Sequence, residues 1–348
     1  MKITEVRAVQ PIAAHSPPDW RTSMGQILVA IDTDCGLTGY GVGGGGLAGL
    51  HVVRTVLRDL LLGQSPEPVE TRWQALYDAT LPFGRKGLAI MALSGVDLAL
   101  WDLRGKAERL PVARILNPRC EFKPLPTYGT VWDDVPPDAV GQYRAFKLHV
   151  GHQPTSDPVS ATVGAVERAR RVIGPACPLM LDAWMKWDLP TTLAVARQCA
   201  HLSLDWIEEP LPVDDLAGYA RLRDECPIPI AGGEHEFTAL GFQPLIEQRL
   251  HRVLQPDVCW CGGLTELVKI YRLANATRLR VCPHRGAEVW GLHAIAALDP
   301  QPLAESGRPW MTWVGGQPEI ADGFIQLSDR VGFGVEIVEA CLPIASGT

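Results

Sequence analysis

Acidic residues and one histidine recur at a nearly constant spacing in the second half of the sequence. The series is Asp182, Glu208, Glu234, Asp257, His284 and Glu305, at intervals of 21 to 27 residues. Such an interval is close to one β-strand plus one α-helix, so each residue would follow the same strand of a repeated unit. If those strands are parallel, the side chains meet at one mouth, where they could hold a metal ion and move protons.

The first three members of this series are all carboxylates. Three carboxylates from adjacent strand ends form a hard oxygen site, which suits Mg²⁺ and leaves coordination positions open for substrate oxygens. We therefore predict Asp182, Glu208 and Glu234 as Mg²⁺ ligands. For any single acid, capping of the next helix or pairing with a surface lysine is the better interpretation. Glu209 competes with Glu208, because only one of two neighbours on a strand faces the lumen and alternation does not choose between them.

Asp257 and His284 follow successive predicted strands. The carboxylate can accept a hydrogen bond from one imidazole nitrogen and leave the other nitrogen facing a substrate, which is the arrangement that a histidine general base needs. Without Asp257, a lone histidine after a proline would be as often a structural residue as a catalytic one. Asp257 favours the catalytic interpretation of His284.

Lys147 and His149 are two residues apart in AFKLHV and therefore face the same side of one strand. A lysine that points into a barrel mouth is unfavourable unless it meets an anion, which predicts contact between Lys147 and a substrate carboxylate. His149 suits acid–base chemistry, because an unperturbed imidazole has a pKa of about 6.5. A structural hydrogen bond inside the barrel is the alternative for His149.

The elements that would position these residues follow two different patterns of apolar and polar residues. Residues 2–12 and 26–43 alternate apolar and polar side chains, which predicts a small antiparallel sheet; helical patterns follow at about 47–62, 67–80 and 85–108, and Pro111 opens a short further helix. From residue 124, eight short apolar runs, most followed by amphipathic stretches, predict a parallel α/β barrel with its chemistry at the carboxyl ends of the strands. The runs are LPTYGTV, AFKLHV, PLMLDA, LDWIEEP, PIAGGEH, RVLQPDV, RLRVCPH and PLAES.

Composition excludes several classes of protein. The chain has 348 residues, 47% of them hydrophobic, which is enough to form a large core. Its net charge is -7, so a nucleic-acid partner is not expected. The nine cysteines show neither a disulfide framework nor paired metal-ligand spacing. No apolar run is long enough to cross a membrane and no targeting segment is evident, so we expect a cytoplasmic protein that has no membrane partner.

At these residues the chain resembles the enolase superfamily, specifically the mandelate racemase-like group and its rhamnonate dehydratase-like acid-sugar dehydratases. The resemblance covers nearly the whole chain. It rests on six motifs in order: SGVDLALWDLRGKAERLPVARIL, LMLDAW, WIEEPL, GGEHEFT, QPDVCWCGGLTEL with CPH, and PLAES.

The resemblance implies a (β/α)7β TIM-type barrel with an α+β capping domain formed by the N-terminal part and the extreme C-terminus. We place the capping domain at 1–122, the barrel at 123–310 and the return to the capping domain at 311–348. The resemblance also implies that Glu208, the first glutamate of EEP, is the metal ligand. It implies further that Mg²⁺ binds the substrate carboxylate while an enediolate forms. Lys147 matches the first lysine of the group's Lys-x-Lys element, whereas His149 replaces the second, which is the base for one face of the substrate.

The predicted function is dehydration of an acid sugar, an aldonate or aldarate, to a 2-keto-3-deoxy acid. His284, oriented by Asp257, would be the main acid/base, because syn elimination can use one histidine in both roles. Lys147 and Glu305 would bind the carboxylate end, with Glu305 protonated if it approaches an anionic oxygen directly. His149 would be a second acid/base or a hydroxyl-binding group. A racemase, epimerase or lactone cycloisomerase is the alternative, and a non-catalytic scaffold is less favoured.

Substrate specificity would come partly from the loop AAHSPPDWRTSMG after the first strand. The predicted substrate readers are the loop residues and two residues near the mouth: His15, Asp19, Trp20, Arg21, Trp184 and His235. Because adjacent strand residues point apart, His235 needs a twisted strand end to reach the mouth beside Glu234. Trp184 and Trp290 could each line the pocket or pack in the core. We also expect a homo-oligomer.

Overall fold

The computed structural model of the protein describes residues 1–11, 24–151 and 155–338. Its first sheet has three antiparallel strands, β1 (Ile3–Val9), β2 (Ile27–Thr33) and β3 (Thr38–Gly43), in the order β1-β2-β3. The turn between β2 and β3 contains Gly36 at φ 81°, a conformation that glycine adopts without strain. The small antiparallel sheet predicted from the alternating pattern is confirmed.

Helices cover one face of this sheet. They are α1 (Gly46–Val52), continued by a π-helical turn at Val53–Leu57 into α2 (Arg58–Leu61), then α3 (Val69–Thr80), α4 (Leu88–Glu108) and α5 (Val112–Leu116). Helix α4 is buried along most of its length and crosses β3 very closely. A Cβ atom on Gly41 would lie 2.1 Å from the Gly95 carbonyl oxygen, so only glycine permits this approach.

The second sheet is a barrel of eight parallel strands. They are β4 (Leu125–Trp132), β5 (Ala145–His149), β6 (Leu179–Asp182), β7 (Leu204–Glu208), β8 (Ile230–Gly232), β9 (Val253–Leu254), β10 (Arg280–Val281) and β11 (Ala304–Glu305). Neighbours pair in chain order from β4 to β10, and β11 pairs with β4. Between β10 and β11, the Cys282 thiol lies 3.3 Å from the Leu303 carbonyl oxygen.

Six α-helices follow the strands from β5 to β10. They are α6 (Pro158–Ile173), α7 (Leu189–Cys199), α8 (Leu216–Glu225), α9 (Thr238–Glu247), α10 (Gly263–Thr277) and α11 (Val289–Leu298). The connection from β4 to β5 carries the 3₁₀ turn Pro137–Ala139 where a regular barrel has a helix, and another 3₁₀ turn, Ala200–Leu202, ends α7. The predicted TIM-type barrel with an N-terminal capping domain is confirmed.

Because side chains alternate along each strand, a layer of polar side chains lies above a layer of apolar ones, the apolar plug, inside the barrel. The plug consists of Tyr128, Ala145, Met180, Trp206, Ala231, Val253 and Cys282. Since side chains two positions apart share a face, the next inward layer is polar. On or just past the ends of seven of the eight strands, that layer is formed by Thr130, Lys147, Asp182, Glu208, Gln255, His284 and Glu305. The fold therefore gathers the chemistry at the carboxyl ends of the strands.

The capping helices are hydrogen-bonded to the barrel. Trp73 Nε1 donates to the Gly262 carbonyl oxygen at 2.7 Å, and Trp101 Nε1 donates to Thr265 Oγ1 at 2.9 Å. The Asp97 carboxylate accepts bonds from both the amide and the hydroxyl of Thr265. These bonds fix α3 and α4 against the start of α10, close to the mouth.

After the barrel, the chain forms short strands and leads back to the capping helix α4. They are β12 (Val314–Gly315), β13 (Ile320–Ala321), β14 (Phe324–Ile325) and β15 (Glu336–Ile337). β14 pairs antiparallel with β4, and the Phe333 amide then donates to Asp102 of α4 at 3.0 Å. The domain boundaries at 122/123 and 310/311 stay a prediction. Within the described ranges, none of the helices combines the length and apolar character needed to cross a membrane.

Candidate active site

A cavity of about 310 Å³ opens at the carboxyl ends of the barrel strands. Its wall combines charged groups from the barrel with aromatic side chains and two residues of the capping domain. The lining residues are Gly25, Gln26, Thr130, Trp132, Lys147, His149, Asp182, Trp184, Lys186, Glu234, His235, Trp260, His284, Arg285, Arg308 and Trp310. Most of the predicted site residues that fall within the described ranges are in this set.

Lys147 lies at the centre of a cluster of buried carboxylates. Its Nζ is 2.7 Å from Glu208 Oε1 and 3.0 Å from Glu305 Oε1. The same Nζ is 3.2 Å from Asp182 Oδ2, and the lysine side chain is only 1% exposed. Asp182 and Glu208 are directly paired residues of β6 and β7, so the register of the sheet itself places these two acids together.

The cluster carries more negative charge than its protein cation neutralises. Burial raises the pKa of Asp182 and of Glu208 above the ordinary range, and the neighbouring carboxylates raise both further although Lys147 opposes the shift. For Lys147, burial disfavours the charged form, but the surrounding acids outweigh it and raise the lysine pKa well above its usual value. Buried carboxylates gathered around one ammonium group suit a hard divalent cation such as Mg²⁺.

The structure distinguishes Glu208 from Glu209 by their partners, although both are buried. Glu208 meets Lys147 and also accepts a bond from Gln255 Nε2 at 2.6 Å. Glu209 follows the end of β7 at φ 37°, which turns its side chain inward as well; it accepts bonds from the Gly233 amide and lies 2.6 Å from His235 Nδ1.

A second group of possible metal ligands consists of Glu209, Glu234 and His235, whose ligand atoms all lie within 4.8 Å of one another. A site with an imidazole ligand favours zinc or another transition metal over magnesium. His235 Nδ1 is also already close to Glu209. Asp182, Glu208 and Glu234, whose ligand atoms are all oxygens, stay the predicted Mg²⁺ ligands.

His235 reaches the cavity wall because the strand before it is not regular. β8 ends at Gly232, and Gly233 at φ 126° turns the chain, so that both Glu234 and His235 line the cavity. Burial lowers the pKa of His235, but Glu234 and Glu209 outweigh this effect and raise it to about 9.

His284 and Asp257 form the expected hydrogen-bonded pair, with 2.9 Å between His284 Nδ1 and Asp257 Oδ2. The other imidazole nitrogen, Nε2, is 2.9 Å from Glu234 Oε2 and thus faces the carboxylate cluster. Burial lowers the pKa of His284, but the charges of Glu234 and Glu305 outweigh burial and raise it to about 10. The geometry places one imidazole nitrogen on Asp257 and the other toward the cavity.

Glu305 is buried at the end of β11 and is surrounded by donors. Thr130 Oγ1 donates to it at 2.5 Å, and the Arg285 amide donates at 2.9 Å. Burial opposes ionisation, but Lys147 and His284 outweigh it and hold the pKa of Glu305 below its ordinary range. This environment favours the ionised carboxylate, which differs from the protonated form that direct contact with an anionic substrate oxygen would require.

Sequence reasoning missed Arg308, Gln255 and Thr130. The side chain of Arg308 is buried and forms ion pairs with Asp257 and Glu288. It lies on an irregular segment after β11, where no periodic pattern marks it. Gln255 and Thr130 could have been found, because each lies two positions from a residue that faces the lumen on the same strand.

Aromatic rings line part of the cavity. The His149 and Trp132 rings stack at 4.3 Å with an angle of 27°, and the Trp184 ring centre is 6.3 Å from that of His149. Trp184 therefore lines the pocket. Trp290 is fully buried and packs against Phe333 at 4.9 Å, so it belongs to the core.

The capping-loop predictions His15, Asp19, Trp20 and Arg21 lie outside the described residues. The described chain resumes at Met24, and Gly25 and Gln26 line the cavity. Gln26 Oε1 accepts a hydrogen bond from Trp310 Nε1 at 2.9 Å, which joins this edge of the capping domain to the segment after the barrel.

A capped parallel barrel with carboxylates, a lysine and a histidine–aspartate pair at one mouth defines the class of metal-assisted acid–base enzymes. Family models identify this chain within the class. Residues 3–117 match the mandelate racemase / muconate lactonizing enzyme N-terminal domain, and residues 138–341 match the enolase C-terminal domain-like family. The chain belongs to the enolase superfamily, as the motifs predicted.

Individual relatives span nearly the whole chain. It is 34% identical to an L-rhamnonate dehydratase of Saccharopolyspora erythraea over 94% of this chain and 88% of that protein. A 3,6-anhydro-D-galactonate cycloisomerase from Zobellia galactanivorans is 26% identical with a TM-score of 0.86, covering 99% of this chain and 100% of the other. A Streptomyces coelicolor A3(2) racemase with bound magnesium is 31% identical with a TM-score of 0.84, covering 96% and 97%.

These similarities decide one of the predictions and bear on another. The chain is an enzyme, since it belongs to a superfamily of enzymes over nearly its full length. The Streptomyces coelicolor racemase holds bound magnesium, and buried carboxylates such as those at the mouth of this barrel suit that ion.

Proposed function

We propose that this enzyme is a hydro-lyase that dehydrates an acid sugar, an aldonate or aldarate, to a 2-keto-3-deoxy acid. The observation that carries the proposal is the different environment of two histidines at the mouth, His284 and His149. His284 is oriented by Asp257 and faces the carboxylate cluster, whereas His149, at the position of the second lysine of Lys-x-Lys, is stacked against Trp132. A single competent acid/base is sufficient for syn elimination. The similarity to an L-rhamnonate dehydratase supports the same reaction type.

In this proposal Asp182, Glu208 and Glu234 hold Mg²⁺. Bound magnesium acts as a Lewis acid that stabilises negative charge on the substrate carboxylate, an effect of several kcal/mol. Lys147 supports the same end of the substrate, because its ammonium group is held in the lumen by Glu208 and Glu305. Glu305 thus orients Lys147 as an ionised partner and accepts hydrogen bonds from its neighbours.

A cation on Glu234 would compensate the charge that raises the pKa of His284 and so favour the neutral imidazole. Neutral His284 Nε2 takes the proton from C2 of the substrate, and the electron pair of the C–H bond moves toward the carboxyl carbon. The same imidazolium then gives its proton to the hydroxyl on C3, the C3–O bond breaks, and water leaves. The resulting enol becomes the 2-keto acid when C3 gains a proton and the hydroxyl on C2 loses one. Asp257 accepts the Nδ1 hydrogen throughout, so it stabilises the imidazolium. A positioned base of this kind contributes about 10²- to 10⁴-fold in rate.

The remaining predicted residues form the distal pocket in this proposal. His149 and His235 contact substrate hydroxyls beside the aromatic ring of Trp184. From the capping loop His15, Asp19, Trp20 and Arg21 add the contacts that select the sugar. A cytoplasmic location and a homo-oligomeric state remain predictions.

The test is incubation of the enzyme with Mg²⁺ and a panel of aldonates and aldarates, with sugar lactones and anhydro acids beside them, in deuterium oxide. Dehydration gives a keto acid that forms a semicarbazone, together with loss of one water. Solvent deuterium at C2 without loss of water would identify a racemase or epimerase instead. Isomerisation of a lactone or anhydro acid without release of keto acid by dehydration would favour the cycloisomerase reaction. No reaction across the whole panel would contradict the proposal and favour a scaffold.

A further inference from the structure

We propose that Arg308 is a positioning residue that locks Asp257, and through it His284, in the geometry for proton transfer. The inference rests on the proposed acid/base role of His284. It assigns a function to a residue on the irregular segment after β11.

Arg308 forms a buried fork between two acids. Its side chain is 2% exposed; Nη1 donates to Glu288 Oε2 at 2.6 Å, and Nη2 donates to Asp257 Oδ2. The Arg308 backbone amide donates to the other oxygen of Glu288 at 2.8 Å. Both ends of the guanidinium group are therefore fixed, and Glu288 serves as the anchor that aims it at Asp257.

The oxygen that Arg308 contacts is also the one that faces His284. Asp257 Oδ2 receives Nη2 of Arg308 and lies 2.9 Å from His284 Nδ1, while Oδ1 accepts the Cys259 amide at 2.8 Å. With both oxygens held, the carboxylate cannot rotate. The imidazole plane of His284 is therefore set by a carboxylate whose own orientation is set by Arg308.

Arg308 also determines which partner carries the hydrogen. Burial opposes ionisation of Asp257, but Arg308 and His284 outweigh it and hold the pKa of Asp257 below its ordinary range. An ionised carboxylate only accepts hydrogen bonds, so Nδ1 of His284 must be the donor. Without Arg308, Asp257 and Glu288 would be neighbouring buried acids without their shared cation, and one of them would take up a proton.

A lysine cannot replace this arrangement fully. The planar fork of arginine reaches two carboxylates at once, whereas an ammonium group acts as a point charge on a flexible stem. The guanidinium also lies 5.6 Å from the centre of the Trp260 ring, which lines the cavity, so its flat face has an aromatic neighbour.

The activity test compares Arg308→Lys, Arg308→Met and Arg308→Ala with a change at a half-buried arginine remote from the site. Arg170 is the control, because it binds carbonyl oxygens of Leu202 and Cys177 before the strands begin, at the opposite end of the barrel from the site. We expect kcat to fall about 100-fold in Arg308→Met, the effect of misplacing a reacting group by about 1 Å, with KM and Mg²⁺ affinity changed less than threefold. Arg308→Lys should recover part of kcat, and guanidinium ion should partly rescue Arg308→Ala. Arg170→Met should lose thermal stability and keep its kcat.

A spectroscopic arm is independent of any substrate. In wild-type protein labelled with ¹⁵N-histidine, the Nδ1 proton of His284 should give a downfield resonance that is missing from His284→Asn. In Arg308→Met this resonance should shift upfield or disappear, while Arg170→Met keeps it.

The two arms separate the failure of this inference from failure of the proposed function. An unchanged resonance and an unchanged kcat in Arg308→Met would overturn the positioning role. A kcat loss matched by an equal rise in KM or in the Mg²⁺ dissociation constant would also overturn it. If the wild-type enzyme dehydrates no acid sugar, the proposed function fails, and the resonance still decides whether Arg308 holds the Asp257–His284 pair.

Discussion

Replacement of Glu208 by glutamine should remove most of the stabilisation that the protein gains from Mg²⁺, whereas Glu209→Gln should retain it. The two glutamates are adjacent, both are 1% exposed, and the substitution is the same in each. Only Glu208 lies with Asp182 around the Lys147 ammonium group; Glu209 instead meets His235. The pair of variants therefore tests which of two buried acids is the ligand.

The size of the effect follows from linkage. An ion that binds only the folded state at 100 times its dissociation constant adds about 2.7 kcal/mol to the free energy of unfolding. For a chain of 348 residues the unfolding entropy near 60 °C is about 0.7 kcal/mol/K, so Tm should rise by about 4 °C. If the loss of Glu208 weakens Mg²⁺ binding about 100-fold, the same concentration adds about 0.4 kcal/mol and shifts Tm by less than 1 °C.

The assay is thermal unfolding followed by circular dichroism across a Mg²⁺ titration, with Ca²⁺-free buffer and an EDTA baseline for each variant. The shift on adding Mg²⁺, not the absolute Tm, is compared, because either substitution can change the metal-free stability. Loss of the shift in Glu209→Gln together with its retention in Glu208→Gln would refute the reasoning. It would place the ion between Glu209, Glu234 and His235, the alternative cluster at the mouth.

Three further predictions concern the base, the pocket wall and the response to acid. His284→Asn should lower both dehydration and deuterium exchange at C2 by about 10²- to 10⁴-fold while the Mg²⁺-induced Tm shift remains, measured by NMR of the substrate and by melting curves. Trp132→Ala should raise KM about fivefold by steady-state kinetics, because it removes the ring that stacks on His149; an unchanged KM would argue against contact with substrate. Burial lowers the pKa of His293 to about 3, below its ordinary 6.5, so the unfolded chain binds a proton that the folded state resists and stability falls as pH drops below about 6.5. Between pH 7.5 and 5 this histidine should account for a loss of about 2 kcal/mol in urea denaturation; His293→Gln should flatten that slope, and the exposed control His201→Gln should leave it unchanged.

The strand-borne part of the site could be predicted because regular strands obey a period of two. Lys147 and His149 share one face of β5, and the recurrence of acids follows the length of a strand–helix unit. The pairing of Asp257 with His284 follows from the same regularity, since residues at the ends of successive parallel strands are neighbours.

The part that could not be predicted lies where the backbone leaves the strand. Glu209 at φ 37° and His235 after Gly233 at φ 126° both turn inward, so alternation cannot rank Glu209 against Glu208 or place His235. Arg308 belongs to a segment without period, and its role depends on contacts with Asp257 and Glu288 that are 51 and 20 residues distant in sequence. The ionised state of Glu305 likewise depends on the donors around it.

The distribution of charge would place the proposed metal and the proposed acid/base at different sides of one mouth. Arg308 is paired with Asp257 and Glu288, so the side of the mouth behind His284 has a buried cation of its own. On the other side Lys147 faces Asp182, Glu208 and Glu305, which leaves excess negative charge among the residues that the structure describes. In this proposal a divalent ion would be attracted to that second side, because its charge is uncompensated. A substrate carboxylate drawn to the ion would then present its α-proton toward the imidazole, whose nitrogen Nε2 already points at the boundary acid Glu234.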